Sequence, residues 1–86
     1  MEENDTMQAI VLLNDNIKLN TINKVKVIRV KDGDYNLLIM KDYWPVIGEI
    51  NGNVYFDGDE NVSFENIKGF YMLCHNVFRL IIIEDK

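Results

Sequence analysis

A chain of 86 residues can enclose one small core, because a domain of this size buries only about 60% of the surface its unfolded form exposes. Fourteen acidic side chains against nine basic ones leave a net charge of −5, a field that repels phosphate backbones and argues against a nucleic-acid partner. Apolar runs such as Leu37-Leu38-Ile39-Met40 and Leu80-Ile81-Ile82-Ile83 fall far short of the ~20 residues a membrane helix needs, which excludes an integral helical membrane protein.

The opening Met1-Glu2-Glu3-Asn4-Asp5-Thr6 is acidic and polar where a secretory signal is basic and then apolar, so a cytoplasmic chain is expected. Nothing in that opening can be buried; residues 1–6 read as a mobile acidic tail and 7–86 as a single domain. The single cysteine, Cys74, cannot form an internal disulfide and reads as a small buried hydrophobe.

One alanine against nineteen valines and isoleucines disfavours helices and suits a pleated surface. Met7 to Leu13 reads as a first strand, ended by Asn14-Asp15-Asn16, whose side chains bond their own backbone in turns. Ile17 to Ile22 returns with Ile17, Leu19 and Thr21 on one face, and Val25 to Lys31 follows after Asn23-Lys24. Asp32-Gly33-Asp34 supplies the positive φ of a tight hairpin into Tyr35 to Met40.

Lys41-Asp42-Tyr43-Trp44-Pro45 breaks the pattern, since proline cannot donate to a ladder, and reads as a loop. Val46 to Ile50 and Val54 to Phe56 flank Asn51-Gly52-Asn53, a strong hairpin signal, and Asp57-Gly58-Asp59-Glu60 makes a further turn. Asn61 to Ile67 alternates, with Val62 and Phe64 on one face and Ser63 and Glu65 on the other. Phe70 to Cys74, the turn His75-Asn76 and Val77 to Ile83 complete the series. The expectation is an all-β fold: a small flattened sandwich or barrel of about nine to ten mostly antiparallel strands.

Catalytic chemistry has little to work with. Cys74, Ser63 and His75 are the only residues of their types, and neighbours on a strand point to opposite faces, so Cys74 and His75 are not expected to form a dyad. The Asp-Gly-Asp units at Asp32 and Asp57 lack the downstream glutamate of a calcium loop, and one His with one Cys cannot complete a zinc site. The five glycines are isolated and read mostly as turn residues, so no phosphate loop, metal or cofactor is expected. Tyr43-Trp44-Pro45 stands out because a loop carries two large aromatics, either as an interface contact or as a lid folded over the core.

The order Gly33-Asp34, Leu37 to Met40, Tyr43-Trp44-Pro45-Val46, Asn51-Gly52, Lys68-Gly69-Phe70 and Val77 to Asp85 resembles the N-terminal β-sandwich domain of the epsilon subunit (delta in mitochondria) of the rotary F-type ATP synthase. Tyr43 stands where that family carries histidine, and Lys68 replaces a glycine. The resemblance implies a ten-stranded sandwich that docks on the gamma subunit and the c-ring as a non-catalytic coupling element. Asp34, Tyr43, Trp44 and Pro45 are then the contact residues, and no inhibitory helical hairpin follows Lys86. The residues alone leave open an unrelated small all-β adaptor or phage-type structural interaction domain.

Overall fold

The computed structural model describes residues 6–13 and 18–85, and all regular structure among them is β. Six strands occur in chain order: β1 (Met7–Leu13), β2 (Lys18–Asp32), β3 (Tyr35–Ile39), β4 (Val46–Gly58), β5 (Val62–Cys74) and β6 (Val77–Asp85). Five of them close into a barrel in the order β1-β6-β5-β4-β2, with β2 pairing back onto β1. The short β3 lies outside that ring, paired with the second half of β2. Every ladder is antiparallel except β1 with β6, since five strands in up-and-down order can close only through one parallel pair.

Six strands replace the expected nine to ten because three segments that read as pairs are single long strands, two of them carrying bulges. Asn23-Lys24 does not end a strand: β2 runs through it with Lys24 at φ 59, and β2 spends an extra residue there against β1. Asn51-Gly52-Asn53 is no hairpin either but the middle of β4, where the register with β5 shifts. The third case is β5, where Asn66 at φ 58 takes the extra residue and its N–H donates to the Asn53 side chain at 2.9 Å. Asparagine suits the left-handed region of a bulge for the reason that it suits a turn, so composition cannot separate the two. The genuine reversals are Gly33-Asp34, Asp59-Glu60 and His75-Asn76. The tail Met1–Asp5, the turn at Asn14-Asp15-Asn16 and Ile17 lie outside the described residues.

The bulge at Asn66 resets the inward phase of β5. Val62 and Phe64 point in before it, and Ile67, Tyr71 and Leu73 point in after it, which lets one strand wall two sides of the barrel. Phe56 and Phe78 fill the centre with no exposed surface, their rings edge-on at 5.7 Å. Phe64 packs edge-on to Phe56 at 6.1 Å, and Tyr71 stacks on Phe78 at 5.7 Å. Burying such aromatics is the main drive for closure.

The glycines depart from the turn reading: only Gly33 sits in a turn, at φ 63. Gly52, Gly58 and Gly69 lie in strands where a Cβ would collide with the backbone carbonyl oxygens of Lys31, Lys24 and Ile81 respectively. They are present because neighbouring strands approach too closely for any side chain.

Candidate docking face

The first half of β4, the second half of β5, and β6 with β1 form one wall whose outer side chains lie in register. One row runs Ile47, Met72, Arg79, Ile10, and the next runs Glu49, Phe70, Ile81, Leu12. Ile47 is 73% exposed, and Phe70, Met72, Ile81 and Ile83 are each exposed by 39 to 47%. Five large apolar side chains exposed on neighbouring positions of one wall make a patch of the kind that marks an interaction site.

The opposite wall is built differently. There the outer rows carry Arg29 between the half-exposed Leu38 and Tyr55, with Ser63 beyond, Lys31 beside Asn53 and Asn36, and Val27 beside Asp57, so apolar side chains stand singly among polar ones. A wall facing only water alternates in this way, apolar in and polar out. The apolar wall is apolar on its inner and its outer side at once.

Two hollows border the apolar rows. One, of about 280 Å³, lies between Pro45 with the start of β4, Val46 and Ile47, and the end of β5, Met72, Leu73 and Cys74. The second, of about 310 Å³, lies among Asp32, Glu49, Lys68, Phe70 and Ile83, so charge collects at that border.

Of the residues expected from sequence, Tyr43, Trp44 and Pro45 lie in the loop joining β3 to β4, and all three are exposed. Trp44 is 81% exposed, so it is not a lid folded over the core. Asn76, in the β5–β6 turn at φ 62, fixes this loop: its side-chain oxygen accepts from the Asp42 N–H at 2.6 Å, and its amide donates to the Asp42 carboxylate at 3.1 Å. Pro45 lines the hollow beside Ile47, and Trp44 precedes it in the chain. Asp34 is exposed in the β2–β3 turn, on a different connection.

Tyr71 lies inside this wall beneath Gly48, where an added Cβ would stand 2.7 Å from its hydroxyl. Burial, with the Tyr35 hydrogen bond and the nearby Tyr43 and Asp32, pushes the Tyr71 phenol up to about 12. That is the signature of a buried structural phenol rather than of a proton-transfer group poised near neutrality.

Cys74 is partly exposed rather than buried, being the last residue of β5 before a turn. His75 follows it in that turn, exposed at φ 52, and Ser63 lies at the other end of β5. Among the described residues, no three His, Cys, Asp or Glu side chains gather closely enough to hold a metal ion. No polar or charged residue among them is buried. No helix among them is long and apolar enough to cross a membrane.

Sequence reasoning missed Ile47, Phe70, Met72, Ile81 and Ile83. Their signal was present in Leu80-Ile81-Ile82-Ile83 and Phe70-Tyr71-Met72-Leu73, where apolar residues fill both strand phases. No family model matches the chain, and no curated protein is similar to it in sequence.

Proposed function

We propose that this chain is a non-catalytic protein-docking domain that receives its partner on the outer face of β4, β5 and β6. The observation that carries this is the pair of adjacent rows holding the exposed apolar side chains Ile47, Met72, Phe70 and Ile81, in register on one wall, with Arg79 among them and Glu49 and Lys68 at the border. Apolar centres with a charged border are the usual anatomy of an interface. Trp44, exposed in the anchored loop that leads into β4, is its natural anchor.

Two kinds of docking protein fit this description. The strand architecture favours a small all-β adaptor or structural interaction domain, since the rotor-stalk family carries ten strands in two sheets and this chain has a closed ring of five with a sixth strand beside it. The exposed Tyr43-Trp44-Pro45 loop is the feature that still speaks for a rotor-stalk subunit contacting gamma and the c-ring.

The deciding experiment is affinity capture from the native host with the wild-type chain and with the double variant Phe70→Glu, Ile81→Glu. A protein recovered by the wild type and lost by the folded variant supports the docking face. Recovery of gamma or c subunits selects the rotor stalk, and any other specific protein selects the adaptor. Equal capture by both forms overturns the proposal.

A further inference from the structure

The first half of β4 extends past the end of β2, whose last paired residue on that side is Lys31, opposite Asn53. Residues Val46 to Gly52 therefore pair with β5 on one side only, and among the described residues no strand lies along the other side. Which backbone groups face that open side follows from the β5–β6 hairpin. Its two-residue turn, His75-Asn76, has both φ angles positive and closes on the pair Cys74 and Val77, so Cys74, Met72 and Phe70 point their N–H groups at β6. Leu73, Tyr71 and Gly69 then point theirs at Val46, Gly48 and Ile50. Ile47, Glu49 and Asn51 are left facing away from β5, and the Asn51 N–H agrees, donating to the Asp32 carboxylate at 3.3 Å.

The open edge thus offers few donors. Pro45 has no N–H, and Asn51 is engaged by Asp32. Ile47 and Glu49 remain, and among the described residues no backbone group meets their N–H groups. Edges of this kind are ordinarily guarded by lysine, proline or a bulge, yet from Val46 to Asn51 the ladder with β5 is regular and Glu49 is the only charge.

We propose that this edge pairs with the same edge of a second copy of this chain, antiparallel about a two-fold axis at Gly48. Three features single out that partner and that register. A strand centred on Gly48 sets Ile47 opposite Glu49 of the other copy, so both free donors and both free acceptors of each copy are used together. Centring on Glu49 would set carboxylate against carboxylate and waste Asn51; centring on Ile47 would set Pro45 against a donor. On this wall and its border Asp32 and Glu49 are offset by Lys68 and Arg79, so two copies meet here across mixed charges and not across the uniform negative sign of the molecule's net charge of −5. The interface is small, four backbone hydrogen bonds flanked by Ile47 and Trp44, and below about 1,200 Å² in total such contacts are weak and reversible. Pairing is lateral, so the apolar walls of the two copies join into one doubled platform and the docking face stays open.

Sedimentation velocity on the full chain, from about 1 μM to about 1 mM, tests this. The expected result is a shift from monomer to dimer across that range, lost in Ile47→Pro and Glu49→Pro. Each of these removes one outward donor while the β4–β5 hydrogen bonds, made by the even-numbered residues, are untouched. Amide exchange by NMR checks the wild type without substitution: the Ile47 and Glu49 amides should become protected at least tenfold at the concentrated end. A monomer at every concentration overturns the inference, as does unchanged exchange at these two amides. Phe70→Glu with Ile81→Glu should still dimerise, so loss of the dimer there but not in the proline variants also overturns it. Failure of the docking face appears separately, as unchanged partner capture.

Discussion

Replacing Gly69 by alanine tests the closest approach in the barrel. The added methyl would collide with the Ile81 carbonyl oxygen and lie 3.0 Å from the Ile81 carbonyl carbon and 3.1 Å from the Ile82 Cα. All three are backbone atoms of β6, so no side chain can swing away; β5 and β6 must part where their register already shifts. Overpacking of this kind costs about 1–3 kcal/mol, and each ladder hydrogen bond stretched in the process adds about 1 kcal/mol. Against this, alanine restricts the unfolded chain and returns about 0.4–1 kcal/mol. The net expectation is a loss of about 2–4 kcal/mol, or roughly 10–20 °C in melting temperature for a domain this size. Gly33→Ala is the control: its methyl meets nothing within 4 Å, and only the positive φ of 63 opposes it, at a cost of about 1–2 kcal/mol. Urea and thermal unfolding followed by circular dichroism compare the two. If Gly69→Ala loses no more stability than Gly33→Ala, β5 and β6 do not approach as described.

Phe56→Ala, which empties the centre against Phe64 and Phe78, should lose about 3–5 kcal/mol in urea melts. The Tyr71 phenol, pushed up to about 12 by burial, holds its proton in the folded chain where the unfolded chain, titrating near 10, has lost it. Its contribution is therefore fully present below pH 10 and disappears between about pH 10 and 12; the wild type should lose on the order of 2 kcal/mol across that window, and Tyr71→Phe distinctly less. Asn76→Gly keeps a positive φ but removes both contacts to Asp42, so Trp44 fluorescence anisotropy should fall while unfolding shifts by only about 1 kcal/mol. Phe70→Glu with Ile81→Glu should leave the chain folded but cost about 1–2 kcal/mol in urea melts, because both side chains face outward while the two new carboxylates stand opposite one another and beside Glu49.

The fold class was legible from composition, because nineteen β-branched aliphatics with one alanine leave little else to build. Where strands stopped was not. Asn51-Gly52-Asn53 carries the chemistry of a hairpin, but the inward side chains Ile50, Val54 and Phe56 keep one phase straight through it, and burial of that whole face outweighs the turn preference. At Asn66 the opposite happens: the phase does slip, and one extra residue accommodates the slip without reversing the chain. The exposed loop at Tyr43-Trp44-Pro45 was visible because proline and aromatics interrupt the strand pattern. The apolar wall beside it was not, because Ile81 and Ile83 look from sequence like core residues, and only the pairing with β5 and β1 shows which face they take.

The parallel seam between β1 and β6 bears on how the chain is made. Gln8 to Leu13 pair with Val77 to Ile82, residues separated by nearly the whole domain, so the seam cannot form until β6 has left the ribosome. During synthesis the β1–β2 hairpin must wait with one apolar edge uncovered, and contacts of such long sequence separation form slowly, in milliseconds to seconds. Nascent chains stalled before Val77 should thus expose β1 to chaperones, and release of the completed β6 should end that exposure.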